Sequence, residues 1–168
     1  MEEEQASAIW REVDYHAAWR PFDAKFDFRP NLDESSGPAI RVPDDAVIVD
    51  LRPIFASPGA RFAAGEASVN AAAARSFVWL CGDEELTALD WQHPAYRYSP
   101  ARHVLSDAEW NIPVFPNGDY YGHMHADLRW GSFGHPWQQW LLIWGQDLVD
   151  TLARKLLAWL PKRQPCRK

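Results

Sequence analysis

The chain has 168 residues, 47% of them apolar, with ten tryptophans, a net charge of −6 and two cysteines. A length and apolar content of this kind suit one ordinary domain and exclude a disordered chain. The acidic balance argues against nucleic-acid partners, whose phosphates demand a basic footprint, and Cys81 and Cys166 are too few and too far apart for a metal knuckle or disulfide framework.

From the N-terminus, "MEEEQASAIW" is acidic and lacks the apolar run of a secretion signal. Nothing later approaches the roughly 18 to 20 continuous apolar residues of a membrane span. We therefore expect a cytoplasmic protein without membrane or nucleic-acid partners. Residues 6–20 place Trp10, Val13 and Ala17 at helical spacing, with Pro21 as the stop. "FDFRPNLDESSGPAIRVPDD" reads as loop with a short extended piece at 40–42, and the β-branched run "AVIVDL" at 46–51 as a strand.

Ser57 and Pro58 open a long helix, as cap and first residue, with Phe62, Val69, Ala73 and Phe77 along its buried face. Gly65 inside it marks close contact with a sheet. The polar edge carrying Glu66 and Asn70 is expected to face solvent. "ELTALDW", "AYRYS" and "IPVF" read as extended pieces, followed by a turn at "PNG". "DYYGHMHADL", "GSFGHP" and "WQQWLLIWG" follow as antiparallel strands. The last is apolar on both faces and belongs inside the sheet. Leu148, Leu152, Leu156 and Trp159 form the stripe of a closing helix that ends at Pro161. The result is an α+β fold, a mainly antiparallel sheet packed with about three helices, in one domain over 1–168 with flexible tails at 1–5 and 162–168.

The histidines are the chemical feature of the chain. In an extended 119–127 segment, Asp119, Tyr121, His123, His125 and Asp127 share one face. His123 and His125 would then stand about 7 Å apart, close enough for a shared cation. The plainer reading is the polar solvent face of a half-buried strand. His93 and His135 each precede a proline, which fixes an extended bend. Each imidazole either holds a loop carbonyl or joins Asp90, Asp119 and Tyr96 in acid–base work near neutral pH. Nucleophile elbow, phosphate loop and dinucleotide fingerprint are absent, and no cofactor is implied.

"WRPFDAKFDFRP", "GEASVNAAAARSFVWL", "DWQHPAYRY", "VFPNGDYY" and "DLRWGSFGHPWQQ" together resemble an uncharacterised bacterial family, domain of unknown function 2716, over nearly the whole chain. The resemblance implies one domain and a bacterial cytoplasm, and supplies no mechanism. It also implies an acid after the HPW motif, where this chain has Gln138, and apolar residues where it has the two histidines around Met124.

Two functions follow as expectations. The first is a recognition protein that binds another protein through aromatic anchors and a carboxylate rim, with Trp91, Tyr121, Arg129, Trp130 and Trp137 as contacts and a toxin-neutralising (immunity) role as its sharpest form. The second is a small enzyme or ligand-binding protein with an aromatic-lined pocket for a small molecule, using His93, His135, Asp119 and Tyr96.

Overall fold

The computed structural model describes residues 8–33 and 37–164. The expected flexible tail at 1–5, and Cys166 with the end of the basic terminus, lie outside the described residues.

Trp10–Val13 is strand β1, not the opening of a helix. Asp14 divides the expected helix at 6–20, because its carboxylate accepts the Ala17 N–H at 2.7 Å and caps α1 (Tyr15–Phe26). That helix then continues through Pro21, the expected stop. Trp19, Phe22 and Phe26 are buried along one face of α1 while Pro21 is exposed. Burying three aromatic rings, worth roughly 2–3 kcal/mol each, exceeds the roughly 3 kcal/mol that an internal proline costs.

The expected extended piece at 40–42 is absent, and the next strand is β2 (Val47–Asp50), followed by the short α2 (Arg52–Phe55). The long helix α3 (Gly59–Cys81) buries Val69, Ala73 and Phe77 as its periodicity predicts. Its entry differs from expectation. Pro58 is the cap residue, and the Ser57 hydroxyl donates to the Pro53 carbonyl instead. Gly65 makes its close approach to α2, not to the sheet: a Cβ there would come within 2.8 Å of Ile54.

β3 (Leu86–Asp90) and β4 (Ala95–Tyr98) form a hairpin, and α4 (Pro100–Leu105) follows under a Ser99 cap that accepts the Arg102 N–H. The "IPVF" segment is not a strand. The side-chain oxygen of buried Asn70 accepts the N–H groups of Val114 and Phe115 at 2.9 and 2.8 Å, so α3 rather than a sheet satisfies that backbone. Asn70 thus faces inward, contrary to the expected solvent edge.

β5 (Tyr121–His125), β6 (Gly131–His135) and β7 (Trp140–Trp144) are consecutive antiparallel strands. The closing helix α5 runs from Gln146–Leu148 through a π-helical turn, Val149–Ala153, into Arg154–Leu157. Leu148, Leu152 and Leu156 are buried, whereas Trp159 lies past the helix end and is half-exposed. Lys162–Arg163, at the start of the expected tail, form β8 against β2.

The eight strands form one antiparallel sheet in the order β1-β4-β3-β5-β6-β7-β2-β8. Helices cover both faces, which gives an α+β domain with two cores. Val69, Ala73 and Phe77 of α3 and the leucines of α5 pack on Leu86, Ala88, Leu141 and Ile143. Trp19, Phe22 and Phe26 of α1 pack on Met124, Phe133, Leu142 and Trp144 across the sheet. β7 is buried on both faces, as its sequence predicts. β5 has no solvent face either, because α3 lies over the side that carries its histidines. Among the described residues no helix is long and apolar enough to cross a membrane.

Candidate functional site

His123 and His125 leave β5 on the same side, as alternation predicts, but do not share a ligand position. His123 is fully buried; Phe77 of α3 stacks on its ring. Its Nδ1 meets the Tyr98 hydroxyl at 2.9 Å and its Nε2 lies 3.1 Å from the Pro113 carbonyl oxygen. Both ring nitrogens are thereby committed, and burial pulls the imidazole pKa down to about 4. Around it stand Trp10, Tyr98, Trp110 and His103, with Trp10 stacked on Tyr98 at 3.9 Å and its indole N–H donating to His103 Nδ1.

His125, at the strand's other end, spreads its nitrogens between Asp127 (2.8 Å) and Glu84 (2.6 Å), with Arg129 at 3.2 Å. The expected shared cation at His123 and His125 is therefore corrected: one ring is built into the core, the other into an ion-pair network at the sheet end.

His135 lies on the opposite face of the sheet from His123. It is fully buried, its Nε2 3.2 Å from the Tyr120 hydroxyl and its Nδ1 accepting the Gln138 N–H. Burial lowers its pKa to about 3. This histidine braces a loop N–H rather than a carbonyl. Gln138 in turn donates to the Gly37 carbonyl and accepts the Trp140 indole N–H. A carboxylate can do only the second, which accounts for the amide in place of the acid that the family resemblance implies. Tyr96 packs its ring edge-on against Trp10 and meets none of the histidines put forward as its partners.

One part of the expected acid–base group does assemble. His93 Nδ1 lies 3.0 Å from Asp90 Oδ1 and 3.7 Å from Asp119 Oδ2. The three donor atoms stand within 4.8 Å of one another. Asp90 ends β3 opposite Tyr121, the first residue of β5, and Asp119 lies two residues before Tyr121, so the β3–β5 pairing brings the two carboxylates close. Partial burial raises both carboxyl pKa values, against hydrogen bonds that lower them, and the hydrogen bond to Asp90 raises that of His93. Tyr121, paired with Asp90, has its phenol pushed up to about 12 by burial and by Asp90, Asp119 and Glu66. Its hydroxyl donates to Asn117, whose amide donates to Glu66.

The expected binding residues scatter. Trp130 is buried beneath α3 and stacks on Phe77; Trp91 and Trp137 are half-buried against Tyr120; Arg129 is exposed beside His125. Among the described residues the large exposed apolar side chains are elsewhere: Leu32 (61% exposed) in the loop after α1, and Trp79 (80%), Leu105 (86%), Val104 and Trp159. Trp79 is on α3 and Leu105 on α4, while Val104 and Trp159 wall grooves beside α3. Two grooves flank that helix and share Ala67, Ala71 and Arg75 as a low ridge. One, about 470 Å³, is walled by His103, Val104 and Trp110; the other, about 450 Å³, by Lys155 and Trp159.

A family model described as a protein of unknown function, DUF2716, matches residues 9–149. The chain belongs to the DUF2716 family. It is also 42% identical over 72 residues to the uncharacterized protein YxiI of Bacillus subtilis (strain 168), a stretch that covers 42% of this chain and 44% of that relative. The chain thus matches less than half the length of this relative. No solved structure matches.

The DUF2716 match spans β1 through the start of α5 and so includes every histidine described above, α3 and α4, while Trp159 and β8 lie beyond it. Sequence reasoning missed Trp79, Val104 and Leu105. Trp79 falls outside the Phe62–Phe77 stripe and could have been read as outward-facing from that spacing alone. Ser99 followed by Pro100 repeats the signature seen at Ser57 and Pro58, and would have exposed α4.

Proposed function

We propose that the protein is a non-catalytic recognition module that binds another protein over the outer side of α3. The observation that carries this reading is the alanine floor of α3 between two open grooves, one walled by exposed Val104 and the other by exposed Trp159, with Trp79 exposed on the same helix and Leu105 exposed next to Val104 on α4. Large aromatic anchors beside small residues are what a partner helix or strap needs for close approach. The dispersal of the histidines speaks for the same reading, since His123 and His135 hold opposite faces of one sheet and Tyr96 stands apart from His93.

The rim is mixed rather than the carboxylate rim expected: Arg75 borders both grooves, Lys155 one of them, and Glu66 and Asp107 the other. A partner with large apolar side chains and charges of both signs fits it. A toxin-neutralising (immunity) partner is one form of this reading, favoured by the net charge of −6, which speeds capture of a cationic target. The reading places the protein in the cytoplasm with no nucleic-acid partner.

The test is crosslinked capture from the native bacterium with the wild type, with Trp79→Ala combined with Leu105→Ser, and with Trp91→Ala. A single partner held by the wild type and by Trp91→Ala, and weakened at least tenfold in the double variant, is the expected result. A partner held equally by all three overturns the proposal.

A further inference from the structure

The geometry points to a site for one first-row divalent cation, zinc being the probe, held by Asp90, His93 and Asp119. Ligand atoms around such an ion, each about 2.0–2.2 Å from it, lie roughly 3–4.4 Å from one another. His93 Nδ1 is 3.0 Å from Asp90 Oδ1 and 3.7 Å from Asp119 Oδ2, so both separations already fall in that range. Only an inward adjustment of side chains is needed.

Independent features hold the three residues in place. Asp90 closes β3, and the backbone of the next residue, Trp91, donates to the Tyr120 carbonyl, tying the hairpin to the segment that carries Asp119. Gln92 adopts a left-handed conformation (φ 66°), and its N–H donates to the Tyr15 hydroxyl, which fixes the turn that presents His93. Pro94 restricts the backbone of His93. Asp119 spends Oδ1 on the Tyr120 N–H, leaving Oδ2 as the oxygen toward His93. The ligands therefore come from two strand ends and one rigid turn rather than from a mobile loop.

The charge balance also calls for a cation. Asp90 and Asp119 each expose only 16% of their side chains, and among the described residues no lysine or arginine forms an ion pair with either. Their neutralising neighbour among the described residues is His93, itself 60% exposed. A mixed imidazole and carboxylate set favours zinc or its neighbours over magnesium or calcium, which select all-oxygen surroundings. The exposure of His93 leaves the remaining positions to water, the arrangement of a metal that binds an exchangeable ligand.

Isothermal titration of the full chain with zinc chloride tests the site. One zinc per chain is expected, weakened at least tenfold by His93→Ala and by Asp119→Asn and unchanged by His125→Ala, which removes the other histidine–carboxylate cluster. His93 is exposed, so its variant should keep the wild-type circular dichroism. Absence of saturable zinc binding, wild-type affinity in His93→Ala, loss of binding in His125→Ala alone, or tighter binding of magnesium than zinc would each overturn the assignment. None of these outcomes depends on whether the α3 surface binds a protein.

Discussion

His123 shows how much one buried side chain can couple the fold to pH. Its imidazole is neutral in the native state because burial holds its pKa near 4, whereas in the unfolded chain it titrates near 6.5. Below pH 6.5 the unfolded state therefore binds the extra proton. Stability is present above that pH and lost progressively as pH falls toward 4, by about 3 kcal/mol from this group. His135 on the opposite face adds in the same direction. Denaturant melts at pH 7 and pH 5 should show the wild type losing stability on acidification, with a smaller loss in His123→Gln. Equal losses in the two proteins would show that His123 does not carry the effect. His123 and His135 thus act through their hydrogen bonds to Tyr98, Pro113, Tyr120 and Gln138.

At the level of elements, α1 sets local preference against tertiary packing, and packing prevails at Pro21. The proline is exposed while Trp19, Phe22 and Phe26 are buried beneath the sheet. Pro21→Ala restores the backbone N–H and removes the clash with the preceding turn. It should stabilise the protein by about 1–2 kcal/mol, a partial recovery because alanine also loosens the unfolded chain. A rise in melting temperature of several degrees is the expected reading; a fall would mean that the proline's bend is needed to seat the aromatic face. The same competition explains the missing strand at 112–115, whose backbone is taken by Asn70 of α3.

For the whole molecule, the sheet edges matter most. β2 is an interior strand only because Lys162–Arg163 pair with it, and Arg163 also donates to the Gln138 carbonyl. Truncation after Pro161 turns β2, with Val47, Ile48 and Val49, into an open apolar edge. We expect lower thermal stability and concentration-dependent association in size-exclusion chromatography. A truncated chain that stays monomeric with an unchanged melting temperature would show that β8 contributes nothing to closing the sheet.

What was legible in the sequence follows from what is local. The spacing of Val69, Ala73 and Phe77 marked α3, the two-sided apolar run at 140–144 marked an interior strand, and Asp90, His93 and Asp119 were all singled out before they were seen to meet. Each signal rests on side-chain periodicity or on the backbone limits of proline, both set within a few residues. Alternation likewise put His123 and His125 on one face, but it said nothing about what covers that face. Only the tertiary structure decided that α3 buries it, that His135 stands on the far side, and that Trp79 and Trp159 remain in water. Those outcomes depend on which element packs on which side of the sheet, and that choice is made by contacts between residues tens of positions apart.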